Sequence, residues 1–231
     1  MAKSLITRLN ERVAEFDLLR HPFYQRWNEG TLTVQDLQIY AQQYYYFVRE
    51  VPTLVSAIHS NCRNQPLRLS ILENLVEEET GGDNMVPHED LWVWFANGIG
   101  MSSERLSAAD PTPETRKLLL TYRNLCKSSN CAVGAAAMYA YESRIPEISE
   151  TKLYGLKKHY GIRDEETLRF FREHMVADIE HTKTWANVMD TLCKSSDDRE
   201  QAADATAKAA KALWQLLDGV CESCNIPINS N

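Results

Sequence analysis

The chain has 231 residues, 44% hydrophobic and 25% charged, a balance that excludes a disordered or fibrous protein and suffices for a core of its own. Its formal charge of −7 comes without a lysine or arginine cluster, so a nucleic-acid partner is not expected. The N-terminus has no apolar signal core, and the longest uncharged apolar run, Cys131 to Tyr141, is about half the ~20 residues of a spanning helix; no membrane segment and a cytoplasmic location are expected.

Leu5, Ile6, Leu9, Val13 and Phe16 recur at helical spacing and predict an amphipathic helix that stops before Arg20. His21 to Trp27 is dense in aromatics, Tyr24 among them, and reads as a short helical turn closed by Gly30. Thr33 is placed to cap a helix reaching about Cys62, with a kink at Pro52. On it Tyr40 and Tyr44 lie one turn apart; such tyrosines are ordinary core residues, and in an oxidising site they can also carry electrons. Pro66 opens a helix to Glu79, where Glu78 or Glu79 can join the stripe of Ile71, Leu72 and Leu75 and Glu77 cannot. His88 stands at the start of a helix whose later turns are strongly apolar.

Thr112 and Pro113 open a helix to about Lys127. The next, from Ala132 to Glu142, is rich enough in small residues to approach its neighbours closely, and Glu142 shares a face with Ala135, Met138 and Ile145 before Pro146 kinks or breaks it. Asp164 caps a helix to about Cys193, Lys194 to Arg199 reads as a turn, and Gln201 to Val220 forms a last helix packed through Ala209, Leu213, Leu216 and Leu217. Nothing alternates with period two and no linker or repeat stands out. The expectation is one all-α domain, 1–231, of seven or eight helices. The six cysteines are widely spread and expected to be reduced; Cys221 and Cys224 have metal or redox spacing but lack a second pair and read as incidental thiols at a helix end.

The sharpest functional signal lies in the helix capped by Asp164. His174, Asp178 and His181 stand at i, i+4 and i+7, one stripe at 3.6 residues per turn, flanked on the same face by Phe171 and Trp185. Burying two imidazoles and a carboxylate is costly unless something binds them, and together they suit a divalent first-row metal; on a solvated helix the same residues could simply hydrogen-bond. Four helices offer polar groups on faces expected to be buried: Glu78 or Glu79, His88, Glu142, and the triplet. Three carboxylates would set three negative charges against the four positive charges of two divalent ions, a set that helical bundles build from facing helices. The His-Glu-x-x-His motif of zinc hydrolases is absent.

Glu78-Glu-Thr-Gly leading to His88-Glu-Asp-Leu-Trp92, then Tyr141-Glu142-Ser, then His174-x3-Asp178-x2-His181, resembles the haem-oxygenase-like dimetal oxidases, and among them the para-aminobenzoate synthases of the chlamydial, death-domain-associating type. The likeness covers nearly the whole chain, including His21-x-Phe-Tyr24-x-x-Trp27 and Ala57-Ile-His-Ser60. It implies a haem-oxygenase-like helical bundle, metal ligands at Glu78, His88, Glu142, His174, Asp178 and His181, and an Fe/Fe or Fe/Mn pair that activates dioxygen with an external reductant. The step from Glu78 to His88 is longer than in the family pattern, as though 82–87 included an insertion. The resemblance further implies para-aminobenzoate formation for folate synthesis, with Tyr24 supplying the ring, Lys152 the nitrogen, Tyr141 a tyrosine near the metals, and a homodimeric assembly. Phe170 occupies a family tyrosine position, so any role of that hydroxyl is absent here. Two other readings are a metal-free enzyme like the pyrroloquinoline-quinone synthases and TenA-type thiaminases, which the acidic ligand set opposes, and a helical module binding death domains.

Overall fold

Capping side chains set where most helices begin. In this computed structural model, which describes residues 3–81 and 86–228, Ser4 caps α1 (Leu5–Ala14), Asp17 opens a 3-10 turn (Leu18–Arg20) and His21 Nδ1 accepts from the Phe23 amide to open α2 (Pro22–Glu29). Thr33 and Asp36 cap each other's amides at the head of α3 (Val34–Asn61), which continues through Pro52; Asn64 caps α4 (Gln65–Thr80). After Pro87 comes α5 (His88–Gly98), then α6 (Ser103–Ala108) capped by Ser102, α7 (Pro113–Cys126) by Thr112 and α8 (Cys131–Glu142) by Asn130. The chain ends with α9 (Ile145–His159), α10 (Glu165–Leu192) capped by Asp164, and α11 (Ser196–Ser223), opened by a Ser195 and Asp198 box.

The all-α expectation holds, but there are eleven α-helices among the described residues rather than seven or eight. The six residues of α6 are too few to display a period. Pro146 does break the chain after α8, and it then sits in the first turn of α9, where a missing N–H costs nothing. The expected turn at Lys194 to Arg199 shrinks for a similar reason: Asp198 belongs to a helix cap, not a loop. The expected insertion at 82–87 lies mostly outside the described residues.

One hydrophobic core joins the helices. α10 packs against α4, α5, α8 and α9, while α11 packs against α1, α7 and α8. Ala135, Ala136 and Ala137 of α8 are fully buried, and Thr206 of α11 donates to the Ala136 carbonyl at 3.2 Å, so small side chains do bring these backbones together. At Gly155 of α9 a Cβ would stand 2.6 Å from the Trp27 ring; its absence lets α9 lie against α2. Gly30 ends α2 in the left-handed conformation at φ 71°, packed against the His159 ring.

Candidate metal centre

Because α10 packs against α4, α5 and α8 at once, its stripe of His174, Asp178 and His181 meets one ligand-type residue from each: Glu78, His88 and Glu142. All six are 5% exposed or less. Of the two neighbouring glutamates, Glu78 is buried beside these residues and Glu79 is exposed. The donor atoms form two triads, Glu78 with His88 and His174, and Glu142 with Asp178 and His181, each within 4.8 Å of one another.

Hydrogen bonds orient the donors. His174 Nδ1 donates to the Phe170 carbonyl at 2.7 Å, which leaves Nε2 for a ligand role. His88 Nδ1 faces Glu78 Oε2 at 2.8 Å, and Trp185 Nε1 donates to Glu142 Oε2. Asp178 Oδ2 and His181 Nδ1 are buried without a hydrogen-bond partner among the described residues. Around His181 Nδ1 stand Asp178 Oδ1 at 3.6 Å, Glu78 Oε1 at 3.9 Å and Glu142 Oε2 at 4.0 Å. Donor atoms converging at these distances fit a cation held among them.

Charge points the same way. Burial pushes the Glu142 and Asp178 carboxyls above the usual carboxylate range, against the pull of His181. Burial works against a charged His181, but Asp178, Glu77, Glu142 and Glu78 together raise it. Burial, reinforced by His88, drops His174 to about 3, leaving a neutral imidazole. For Glu78, burial is outweighed by the three histidines, His88 first, which hold it down to about 2. Without metal, protons supply the positive charge that three buried carboxylates require; cations would displace them.

Glu77, excluded from the inward stripe by its own helix's periodicity, nevertheless reaches the site from the rim. His181 Nε2 lies 3.0 Å from its Oε2. Periodicity relates residues of one helix, and this partner stands on another.

A second buried cluster adjoins the first. Lys152 of α9 is 4% exposed, and its Nζ donates to the Tyr40 hydroxyl at 2.5 Å, which in turn lies 3.1 Å from the Tyr24 hydroxyl. The ammonium position is 4.9 Å from the Tyr24 and Tyr40 ring centroids, 5.2 Å from Tyr44, 5.4 Å from Phe171 and 5.9 Å from Trp27. With no carboxylate beside it among the described residues, burial lowers Lys152 to about 7, and burial likewise raises the Tyr24, Tyr40, Tyr44 and Tyr141 hydroxyls. The Tyr44 hydroxyl donates to that of Tyr141 at 3.2 Å, and the negative charges of Asp178 and Glu78 bear on both. Rings run on from Tyr44 to Trp92 (4.9 Å), Phe170 (4.7 Å) and His174 (4.0 Å), so Phe170, lacking a hydroxyl, stacks on a ligand-type imidazole. Tyr40 thus holds the lysine, while Tyr44 lies near it and within the field of the carboxylates, relations that their one-turn spacing alone could not reveal.

Residues 38–214 match a family described as iron-containing redox enzymes. A 4-aminobenzoate synthase of Nitrosomonas europaea is 37% identical over 215 residues, covering 89% of this chain and 86% of that protein. One from Chlamydia muridarum is 34% identical over 222 residues, covering 96% and 92%. Among solved structures, a domain of unknown function with a haem-oxygenase-like fold from Shewanella denitrificans superposes with a TM-score of 0.79 at 17% identity, covering 95% of this chain and 93% of its own.

Proposed function

The chain belongs to the haem-oxygenase-like family of iron-containing redox enzymes, and we propose that it is a 4-aminobenzoate synthase that takes the aromatic ring from its own Tyr24 and the nitrogen from Lys152. The observation that carries this reading is the buried contact chain from Lys152 Nζ through the Tyr40 hydroxyl to the Tyr24 hydroxyl, beside two triads of metal-type donors. Glu78, His88 and His174 would hold one divalent ion and Glu142, Asp178 and His181 the other, as an Fe/Fe or Fe/Mn pair. When bound, that pair supplies the activation of dioxygen, with electrons from an external reductant.

A tyrosine side chain carries the ring and one further carbon, Cβ, as the product does. Making 4-aminobenzoate therefore means breaking Cα–Cβ, oxidising Cβ to the carboxylate with dioxygen as electron acceptor, replacing the ring C–O bond by C–N with the oxygen leaving as water, and breaking the Lys152 Cε–Nζ bond so that the nitrogen leaves with the ring. Lys152 meets the last demand in a suitable state: a pKa brought by burial to about 7 leaves much of it as free amine at neutral pH, with a lone pair available. Tyr40 holds both reactants through its one hydroxyl and can pass a proton between Nζ and the Tyr24 oxygen. Because Tyr24, Tyr40 and Lys152 are 4% exposed or less, the surrounding rings keep water out. Fixed neighbours also gain the high effective concentration of an intramolecular reactant. A metal-free enzyme is less well supported, since it would leave Asp178 Oδ2 and His181 Nδ1 buried and unpaired.

Protein loaded anaerobically with iron, alone or with manganese, then given oxygen and reductant but no small-molecule substrate, should release 4-aminobenzoate at no more than one equivalent per chain. Product formed over many turnovers, with Tyr24 intact in the peptide map, would overturn the self-consuming reading.

A further inference from the structure

We propose that Glu77, on the rim of α4, is a positioning residue that fixes the His181 ring so that Nδ1 becomes the ligand atom for the second ion. This rests on the dimetal reading of the site. An ionised carboxylate can only accept a hydrogen bond, so the 3.0 Å contact between Glu77 Oε2 and His181 Nε2 places a proton on Nε2. The opposite nitrogen is the one that points inward: Nδ1 has no hydrogen-bond partner among the described residues and stands among Asp178, Glu78 and Glu142 oxygens at 3.6–4.0 Å. His174 is held by the same logic with the nitrogens exchanged, its Nδ1 bound to the Phe170 main-chain carbonyl. The two triads therefore differ in how they are held. One imidazole is oriented by backbone that no substitution removes, the other by a single side chain from a neighbouring helix.

Glu77 also differs from every residue of the triads in being open to solvent. Its side chain is 38% exposed, at the edge of a cleft of about 400 Å³ between α4 and α10 lined by Ser70, Glu73, Asn74, Glu180 and His181 itself. Truncating it leaves no buried void, so variants should fold.

The test is anaerobic titration of the metal-free protein with Co(II), following the visible spectrum and the number of ions bound, for wild type, Glu77→Gln and Glu77→Ala. Glu77→Ala should weaken one of two ions about 10–100-fold, with a changed Co(II) spectrum for that ion and the other unaltered. Glu77→Gln should recover most of the affinity, because its amide oxygen can still accept from Nε2. Unchanged affinity for both ions in Glu77→Ala contradicts the assignment, as does an equal weakening of both with a lowered melting temperature, which would mark a merely structural role. Wild-type protein that binds fewer than two Co(II) ions contradicts the dimetal reading itself, and this inference with it.

Discussion

The molecule contains two buried polar regions that solve burial in opposite ways. At the carboxylate–imidazole cluster, acid and base crowd together, and the three carboxylates call for positive charge from outside the chain. Around Lys152, among the described residues, there is one amine, no carboxylate, and a cage of five rings with a single hydroxyl as hydrogen-bond partner. The first region invites cations; the second lets its only cation go neutral. The same desolvation thus favours cation binding in one place and a neutral amine in the other, and which results depends on the neighbours.

Removing a reactant from the second region should break the comparison most sharply. Tyr24→Phe and Lys152→Arg should each abolish 4-aminobenzoate while both metals stay bound, as measured by product chromatography and elemental analysis of the same samples. Damage to the first region should show the converse. His174→Ala or His181→Ala should lose at least one of two ions per chain by elemental analysis, leaving the Lys152 cage in place.

Asp178→Asn is subtler, keeping size and removing charge; metal affinity should fall about tenfold, equal to about 1.4 kcal/mol, with lower oxygen uptake and unchanged helicity. Since metal must displace the protons that the free cluster holds on His181 and Glu142, binding should release protons in a weakly buffered solution, and affinity should rise with pH.

The smallest effect is on stability. Lys152 has a folded pKa of about 7 against 10.5 for the free side chain, so between these values the unfolded chain binds the proton and the folded one does not. The Lys152 contribution should therefore fall as pH drops from 9 to 7, by on the order of 2 kcal/mol, read as the pH-dependent difference in stability between metal-free wild type and Lys152→Met in denaturant titrations, since the protons held by His181 and Glu142 act in the opposite direction in both proteins. Product formation should rise with pH through about 7 for the same reason, as the free amine grows.

Much of the first region was legible in the sequence because one helix carries half of it: His174, Asp178 and His181 announce their shared face by spacing alone. Glu78, His88 and Glu142 could be seen to interrupt apolar faces, yet only the packing of α10 against three helices brings them together. The second region was hardly legible at all. Lys152 lies on α9, a helix not expected as a separate element after the kink or break at Pro146, and its partners Tyr24 and Tyr40 come from helices remote in the chain. Spacing reports which face a residue shares with its own turn; it does not report what a neighbouring helix delivers, and Glu77 was missed for that reason. Long amphipathic helices were easy to read from period and cap, whereas α6, though capped by Ser102, is too short to show a period.

The central claim is that the chain supplies its own substrate. Protein made with ring-labelled tyrosine, purified, loaded with iron under anaerobic conditions and then given unlabelled reductant and oxygen, tests it by the mass of the 4-aminobenzoate released. The account predicts a fully labelled product ring and a chain that has lost the Tyr24 side chain; an unlabelled ring would contradict it and require an external substrate.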